Sequence, residues 1–216
     1  GRDCGNGVIL EHGGGWQTSY CHMKKGSVRA AKGAKVRAGD VLGLVGYSGA
    51  ASFPHVHLGV LKDGKAVDPF LGLSGSASGC AAGPEPLWSP AVLDALAYKR
   101  GEVLDVGFAG GAMELADVET GTAQAFVARP DAKALVAWGW MINVEAGDRV
   151  VVVFKGPDGE LARSDKVVPA RKAQYFSFAG RSLKAGRWPA GRYVALFSVA
   201  RNGKTVLRAG RAFTMK

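Results

Sequence analysis

The sequence predicts an all-β protein built as two successive units, and three observations carry that expectation. Glycine is abundant, 32 of 216 residues, and long runs of strong helix formers are missing, which is the composition of short strands joined by tight turns. Apolar residues recur at every second position in short stretches, the period of a strand with one buried face. A stretch rich in Ser, Gly, Ala and Pro over 73–88 interrupts this pattern and divides the chain. Hydrophobic residues at 47% and charged residues at 21% suffice for a core in each part and exclude a disordered chain.

In the first part, Val8-Ile9-Leu10, the triplet Gly13-Gly14-Gly15 and the run from Trp16 to His22 read as a β-hairpin. Short strands are expected around Val28, Val36 and Val41 to Gly46, separated by turns at Gly33 and Ala38-Gly39-Asp40. A further strand, His55 to Val60, runs into the turn Lys62-Asp63-Gly64-Lys65 and ends at Asp68-Pro69-Phe70. The first unit is placed at 1–72.

Residues 73–102 read as a linker and a short helix. Ser89 is a good N-cap, Pro90 is tolerated at the first helical position, and Gly101 after Lys99-Arg100 is a stop signal; Leu93, Leu96 and Ala97 would form the buried stripe. From 103 to 216, strands are expected at 123–128, 133–142, 149–154, 161–168, 173–178, 191–200 and 204–214. Seven strands in about a hundred residues predict an immunoglobulin-like β-sandwich. Pro157-Asp158-Gly159 and Asn202-Gly203 are hairpin signals, and Tyr193, Ala195, Phe197 and Val199 should share one buried face.

A formal charge of +10 and a pI near 9.7 favour polyanionic surroundings. The basic residues are scattered, with Lys24-Lys25 and Arg171-Lys172 the densest pairs, so no stripe reads as a nucleic-acid footprint. No apolar run reaches the roughly 20 residues that a membrane helix needs. The chain opens Gly1-Arg2-Asp3, with neither Met nor a signal-peptide pattern, and is expected to be a mature form or a fragment. Cys4, Cys21 and Cys80 show no Cys-x-x-Cys spacing, which argues against a zinc knuckle or a thioredoxin-like pair. Disulfides are compatible with the three cysteines, and their pairing is left open: Cys4 and Cys21 fall on the two arms of the first hairpin, but several residues out of register when it is folded about the glycine triplet. The odd count leaves at least one thiol unpaired within the chain.

All four histidines lie before residue 58, so the chemistry is expected in the first unit. His55 and His57, two apart on an expected strand, would project from one face roughly 7 Å apart. A bare His-x-His is more often an exposed polar pair than a metal site, and its meaning rests on the surroundings. These are Gly5-Asn6-Gly7-Val8-Ile9-Leu10-Glu11-His12-Gly13, then Tyr20-Cys21-His22-Met23, then Gly39-Asp40-Val41-Leu42-Gly43-Leu44-Val45-Gly46, then Phe53-Pro54-His55-Val56-His57. In that order they resemble the lysostaphin-type (LytM-like) zinc metalloendopeptidases, over the C-terminal half of the catalytic domain.

The resemblance implies a partial LytM-like β-sheet peptidase domain over residues 1 to about 72. It implies one zinc ion (Zn) held in part by His57, with His22 and His55 as catalytic histidines that do not ligate; His12 matches a common family position but borders the hairpin turn and is read as structural. The implied activity is hydrolysis of peptide bonds in peptidoglycan cross-links, in the periplasm or outside the cell. Peptidoglycan peptides are the implied partner, and anionic cell-envelope polymers a further one. No nucleic acid and no membrane span are expected. The family's other two ligands, a His and an Asp four residues later, have no counterpart here: His12 is followed at that spacing by Trp16, His22 by Gly26, His55 by Gly59 and His57 by Leu61. The chain is accordingly expected to be a truncated, inactive piece. A degenerate module that binds or regulates cell-wall hydrolases is the competing expectation, opposed by the presence of all three histidines. A biotin- or lipoyl-carrier reading of Val28 to Gly49 fails because the tip Gly46-Tyr47-Ser48-Gly49 holds no lysine to modify.

Overall fold

The glycine triplet does reverse the chain. In the computed structural model, which describes residues 3–75, 82–97, 99–125 and 128–216, Gly13, Gly14 and Gly15 all have positive φ, which only glycine adopts at little cost. They join β1 (Asn6–Gly13) to β2 (Trp16–Met23). β3 (His57–Lys62) and the two-residue β4 (Lys65–Ala66) complete a four-stranded antiparallel sheet in the order β1-β2-β3-β4. The chain divides into two compact units, Gly1–Tyr98 and Lys99–Lys216.

Two sequence expectations in the first unit need correction. The strand expected over His55–Val60 begins at His57 instead; His55 contributes an isolated bridge to Gly46. The strands expected between Val28 and Gly46 are absent apart from a bridge from Met23 to Val45 and the one to His55. Lys24 and Arg29 each donate to a carbonyl across the loop, at Leu44 and Leu42, but between them the Ser27 hydroxyl accepts from the Leu44 amide. A side chain thus takes a ladder position, and Gly26, Gly33 and Gly39 at positive φ break the extended run.

After β4, Gly83 and Leu87 donate to the carbonyls of Phe70 and Pro69, and the Phe70 and Trp88 rings lie 6.0 Å apart. The described part of the Ser/Gly/Pro-rich stretch is therefore hydrogen-bonded to the chain before it. Helix α1 (Pro90–Ala95) follows Ser89, which caps by backbone conformation without a side-chain bond. It ends at Ala95, with Leu96 as its C-cap, well before Gly101. Its expected buried stripe does not form, since Leu93 is half-buried and Leu96 and Ala97 are exposed. At six residues the helix presents too little surface to pack a face.

Among its described residues the second unit has seven strands: β5 (Glu102–Ala109), β6 (Ala134–Val144), β7 (Arg149–Gly156), β8 (Gly159–Val167), β9 (Lys172–Ser182), β10 (Gly191–Arg201) and β11 (Lys204–Met215). They form two antiparallel sheets, β5-β6-β9 and β11-β10-β7-β8. One strand of the seven differs from expectation. In the segment expected at 123–128, residues 123–125 belong to a 3-10 turn (Thr122–Ala125) after helix α2 (Leu115–Glu119), while 126–127 lie outside the described residues; β5 takes the missing place. Tyr193, Ala195, Phe197 and Val199 are fully buried, as the alternation predicts, and meet Leu135, Met141, Val150, Val152 and Phe154 in one core. Burial pushes the Tyr193 phenol above its ordinary pKa, and its hydroxyl donates to the Pro189 carbonyl at 2.8 Å. A tyrosine at the start of the sixth strand bonding back to the preceding corner is a recurrent device of immunoglobulin-like sandwiches.

Candidate metal centre

Three of the four histidines converge. One ring nitrogen from each of His22, His55 and His57 falls within 4.8 Å of the others, the one such His/Cys/Asp/Glu group found among the described residues. The ring of His22 stands 4.7 Å from that of His55 and 5.7 Å from that of His57. His22 is buried, His55 half-buried and His57 exposed, so the group opens from the interior to solvent.

Each side chain arrives by a different route. His57 is the first residue of β3 and lies opposite Cys21 in the β2–β3 register. His55 enters from the bridge to Gly46, with its amide donating to the Gly46 carbonyl at 3.2 Å. His22, near the end of β2, has φ of +64°, a left-handed conformation that side chains rarely adopt and that surrounding contacts must enforce. The enforcing contacts are present: its amide donates to the Cys4 carbonyl at 2.9 Å and its Nδ1 lies 2.8 Å from the Ser48 carbonyl.

Those contacts fix tautomers. A carbonyl oxygen only accepts, so Nδ1 of His22 carries a proton. The same holds for His55, whose Nδ1 lies 2.7 Å from the Phe53 carbonyl. In the neutral ring, Nε2 is then the lone-pair nitrogen, the arrangement that backbone carbonyls impose on metal-binding and acid–base histidines. Imidazole donors of this kind fit a zinc ion.

His12 stands outside the group. Its Nε2 is 2.7 Å from the Thr18 hydroxyl across the hairpin. It borders a cavity of about 1130 Å³ between β1 and residues 30–42, whose lining also holds Glu11, Tyr20, Arg37 and Asp40 but none of the three clustered histidines. That cavity is not the chemical centre.

The sequence left one contributor open and gave no sign of another. Cys4 and Cys21 form a disulfide, with Cα atoms 4.8 Å apart. The register argument failed because β1 begins only at Asn6, a bulge displaces the pairing between Asn6 and Val8, and Gly5 at φ +63° turns Cys4 back over β2. Cys80 lies outside the described residues. Ser48 is the other contributor; the quoted tip Gly46-Tyr47-Ser48-Gly49 contained it, but nothing in the sequence says that its carbonyl faces a histidine.

The comparisons with known proteins address this same segment. Residues 1–69 match the model of peptidase family M23. That segment is similar to the M23, LytM-like peptidases. An uncharacterized metalloprotease of Haemophilus influenzae is 38% identical over 76 residues, 35% of this chain and 16% of that protein. The peptidoglycan DD-endopeptidase ShyA of Vibrio cholerae is 38% identical over 64 residues, 30% of this chain and 14% of its own length. The DD-carboxypeptidase/endopeptidase Mpg of Neisseria meningitidis is 38% identical over 65 residues, again 30% and 14%. The chain thus spans less than a fifth of the length of these relatives, and the M23 match leaves the sandwich unit unassigned.

Proposed function

We propose that the M23-type segment serves a zinc metalloendopeptidase that hydrolyses peptide bonds in peptidoglycan cross-links, with His57 as a metal ligand and His22 and His55 as acid–base groups. The observation that carries the reading is the convergence of these three rings with two Nδ1 protons committed to backbone carbonyls. Two imidazole ligands of a tetrahedral zinc lie about 3.4 Å apart, given zinc–nitrogen distances of about 2.0–2.1 Å. A group spread over as much as 4.8 Å has room for a ligand beside imidazoles that do not ligate.

A bound zinc ion supplies Lewis acidity and acidifies water. The protein's own work is proton transfer. Nε2 of His22 or His55 accepts the proton of the attacking water, and the resulting imidazolium, held in place through Nδ1, stabilises the oxyanion or passes the proton to the departing amine. The graded exposure of the group leaves the His57 side open to an extended peptide.

The sequence has no His-x-x-x-Asp pair, so residues 1–216 by themselves are proposed to hold zinc weakly and to hydrolyse little. Peptidoglycan as substrate and a periplasmic or extracellular site of action follow from the same reading, which the peptidoglycan DD-endopeptidase of Vibrio and the DD-carboxypeptidase/endopeptidase of Neisseria support. The test is release of amino groups from purified peptidoglycan by the whole gene product, with and without a zinc chelator. Release that the chelator abolishes and added zinc restores supports the proposal. Binding to peptidoglycan with no release at any zinc concentration would favour the degenerate, regulatory module.

A further inference from the structure

Around His22 three separate stretches of chain are locked together, and the lock is closed by a covalent bond one residue away. The first stretch, Asp3 to Asn6, is tied to the second, Cys21 to Met23, by the Cys4–Cys21 disulfide and by the His22 amide donating to the Cys4 carbonyl. The third, Ser48 to Ala50, is tied to both. The Ala50 amide donates to the Asp3 carbonyl at 2.8 Å, the Asn6 amide donates to the Ser48 hydroxyl at 2.9 Å, and that hydroxyl donates to the Met23 carbonyl at 2.7 Å.

The first and third stretches also approach at backbone distance. A Cβ on Gly5 would fall 2.4 Å from the Ser48 carbonyl carbon, and one on Gly49 would fall 2.4 Å from the Asp3 carbonyl oxygen. Only glycine permits this contact, and both residues have positive φ. The product of the whole arrangement is one hydrogen bond, Nδ1 of His22 to the Ser48 carbonyl, made by a residue held in a left-handed conformation.

We propose that the Cys4–Cys21 disulfide and Ser48 are positioning residues for His22: together they hold its ring in the Nδ1–H tautomer, so that Nε2 stays the free base, and reduction of the disulfide releases it. The inference rests on the acid–base role given to His22 above, but its physical content is the tautomer, which exists without metal or substrate. Cys21 is next to His22 and opposite His57, so the bond sits where loss of restraint reaches the ring directly. Without it, the left-handed backbone at His22 and the folded-back Cys4 carbonyl lose the constraint that offsets their cost. A site built this way is assembled in oxidising compartments and slack in reducing ones. Chemically, dithiothreitol cleaves the Sγ–Sγ bond, leaves one hydrogen on each sulfur, and is itself oxidised to its cyclic disulfide, so two electrons and two protons are transferred.

The test is long-range ¹H–¹⁵N correlation of the histidine rings in the 216-residue chain at mildly alkaline pH, oxidised and then reduced with dithiothreitol, with Ser48→Ala recorded oxidised as a second arm. Expected is a single Nδ1–H tautomer for His22 in the oxidised chain, and a mixture with Nε2–H after reduction, while the amides of Ile9 and Ser19 in the hairpin keep their shifts. Ser48→Ala should give a similar mixture with the disulfide intact. The proposal is overturned if His22 keeps one tautomer after reduction or in Ser48→Ala. It is equally overturned if reduction collapses the hairpin signals, because the bond would then staple the fold and not position the ring. An unchanged tautomer would refute this inference alone; a tautomer that responds, in a whole gene product that releases nothing from peptidoglycan, would refute the functional reading alone.

Discussion

His22 and Asp148 show how differently two buried polar residues can be used. Asp148 is fully buried and takes both oxygens into a fork with Arg201, Nε to Oδ1 and Nη2 to Oδ2, each at 2.8 Å. It also accepts the Glu145 amide at 2.9 Å, and Arg201 reaches the Glu145 carboxylate as well. The Arg201 hydrogen bonds outweigh burial and hold the Asp148 carboxyl below its ordinary value of 3.8. A carboxyl whose pKa falls on folding contributes stability that is fully present above the unfolded value and is lost as pH falls through the folded one. That contribution is therefore intact at neutral pH and disappears below about pH 4. Arg201→Ala should cost about 3–5 kcal/mol in chemical denaturation at neutral pH, because it strands a buried charge, and the deficit should shrink as the pH drops below 4. A deficit that does not change with pH would mean lost packing and not lost pairing. None of this was legible in the sequence, where Asp148 sits in an ordinary Ala-Gly-Asp turn. The three site histidines were legible because ordered motifs surrounded them; the left-handed backbone of His22 and its Ser48 partner were not, since they depend on contacts between distant stretches.

At the level of elements, periodicity read the sandwich well and the first unit less well. β10 alternates strictly because one face is core and the other is not, and every inward residue from Tyr193 to Val199 was identifiable. β6 was expected at 133–142 but without a one-sided alternation, because both faces are largely buried: Leu135, Ala137 and Met141 on one side, Val136, Trp138 and Trp140 on the other. A strand of that kind reads as a continuous apolar run. Within it Gly139 makes room for Phe197, whose ring carbon a Cβ would meet at 2.0 Å. Gly139→Ala should lose about 1–3 kcal/mol by overpacking. Gly111→Ala, where nothing lies within 4 Å, should stay within about 0.5 kcal/mol of the parent; equal effects would show that Phe197 moves aside freely. The loop from Lys24 to Leu44 misled the sequence reading for a physical reason, as its valines and the apolar stretch from Val41 to Val45 read like short strands while a serine hydroxyl and three glycines interrupt the ladder.

For the whole molecule, contact density separates Gly1–Tyr98 from Lys99–Lys216, and we propose that the second unit folds without the first. It owns a closed two-sheet core, so residues 99–216 expressed alone should give dispersed amide signals; a collapsed spectrum would place part of that core elsewhere. No described helix is long and apolar enough to cross a membrane. The account as a whole stands or falls on how the three clustered histidines divide their labour. The deciding measurement is zinc content together with amino-group release from peptidoglycan, made on the whole gene product and on His57→Ala, His55→Ala and His22→Ala. The account predicts that His57→Ala loses both metal and activity, whereas His55→Ala and His22→Ala keep their zinc and lose activity by about a hundredfold or more, the usual contribution of a positioned acid–base group. Loss of zinc in His55→Ala with retention in His57→Ala would contradict the assignment of ligand and base, and full activity in all three would contradict the hydrolase itself.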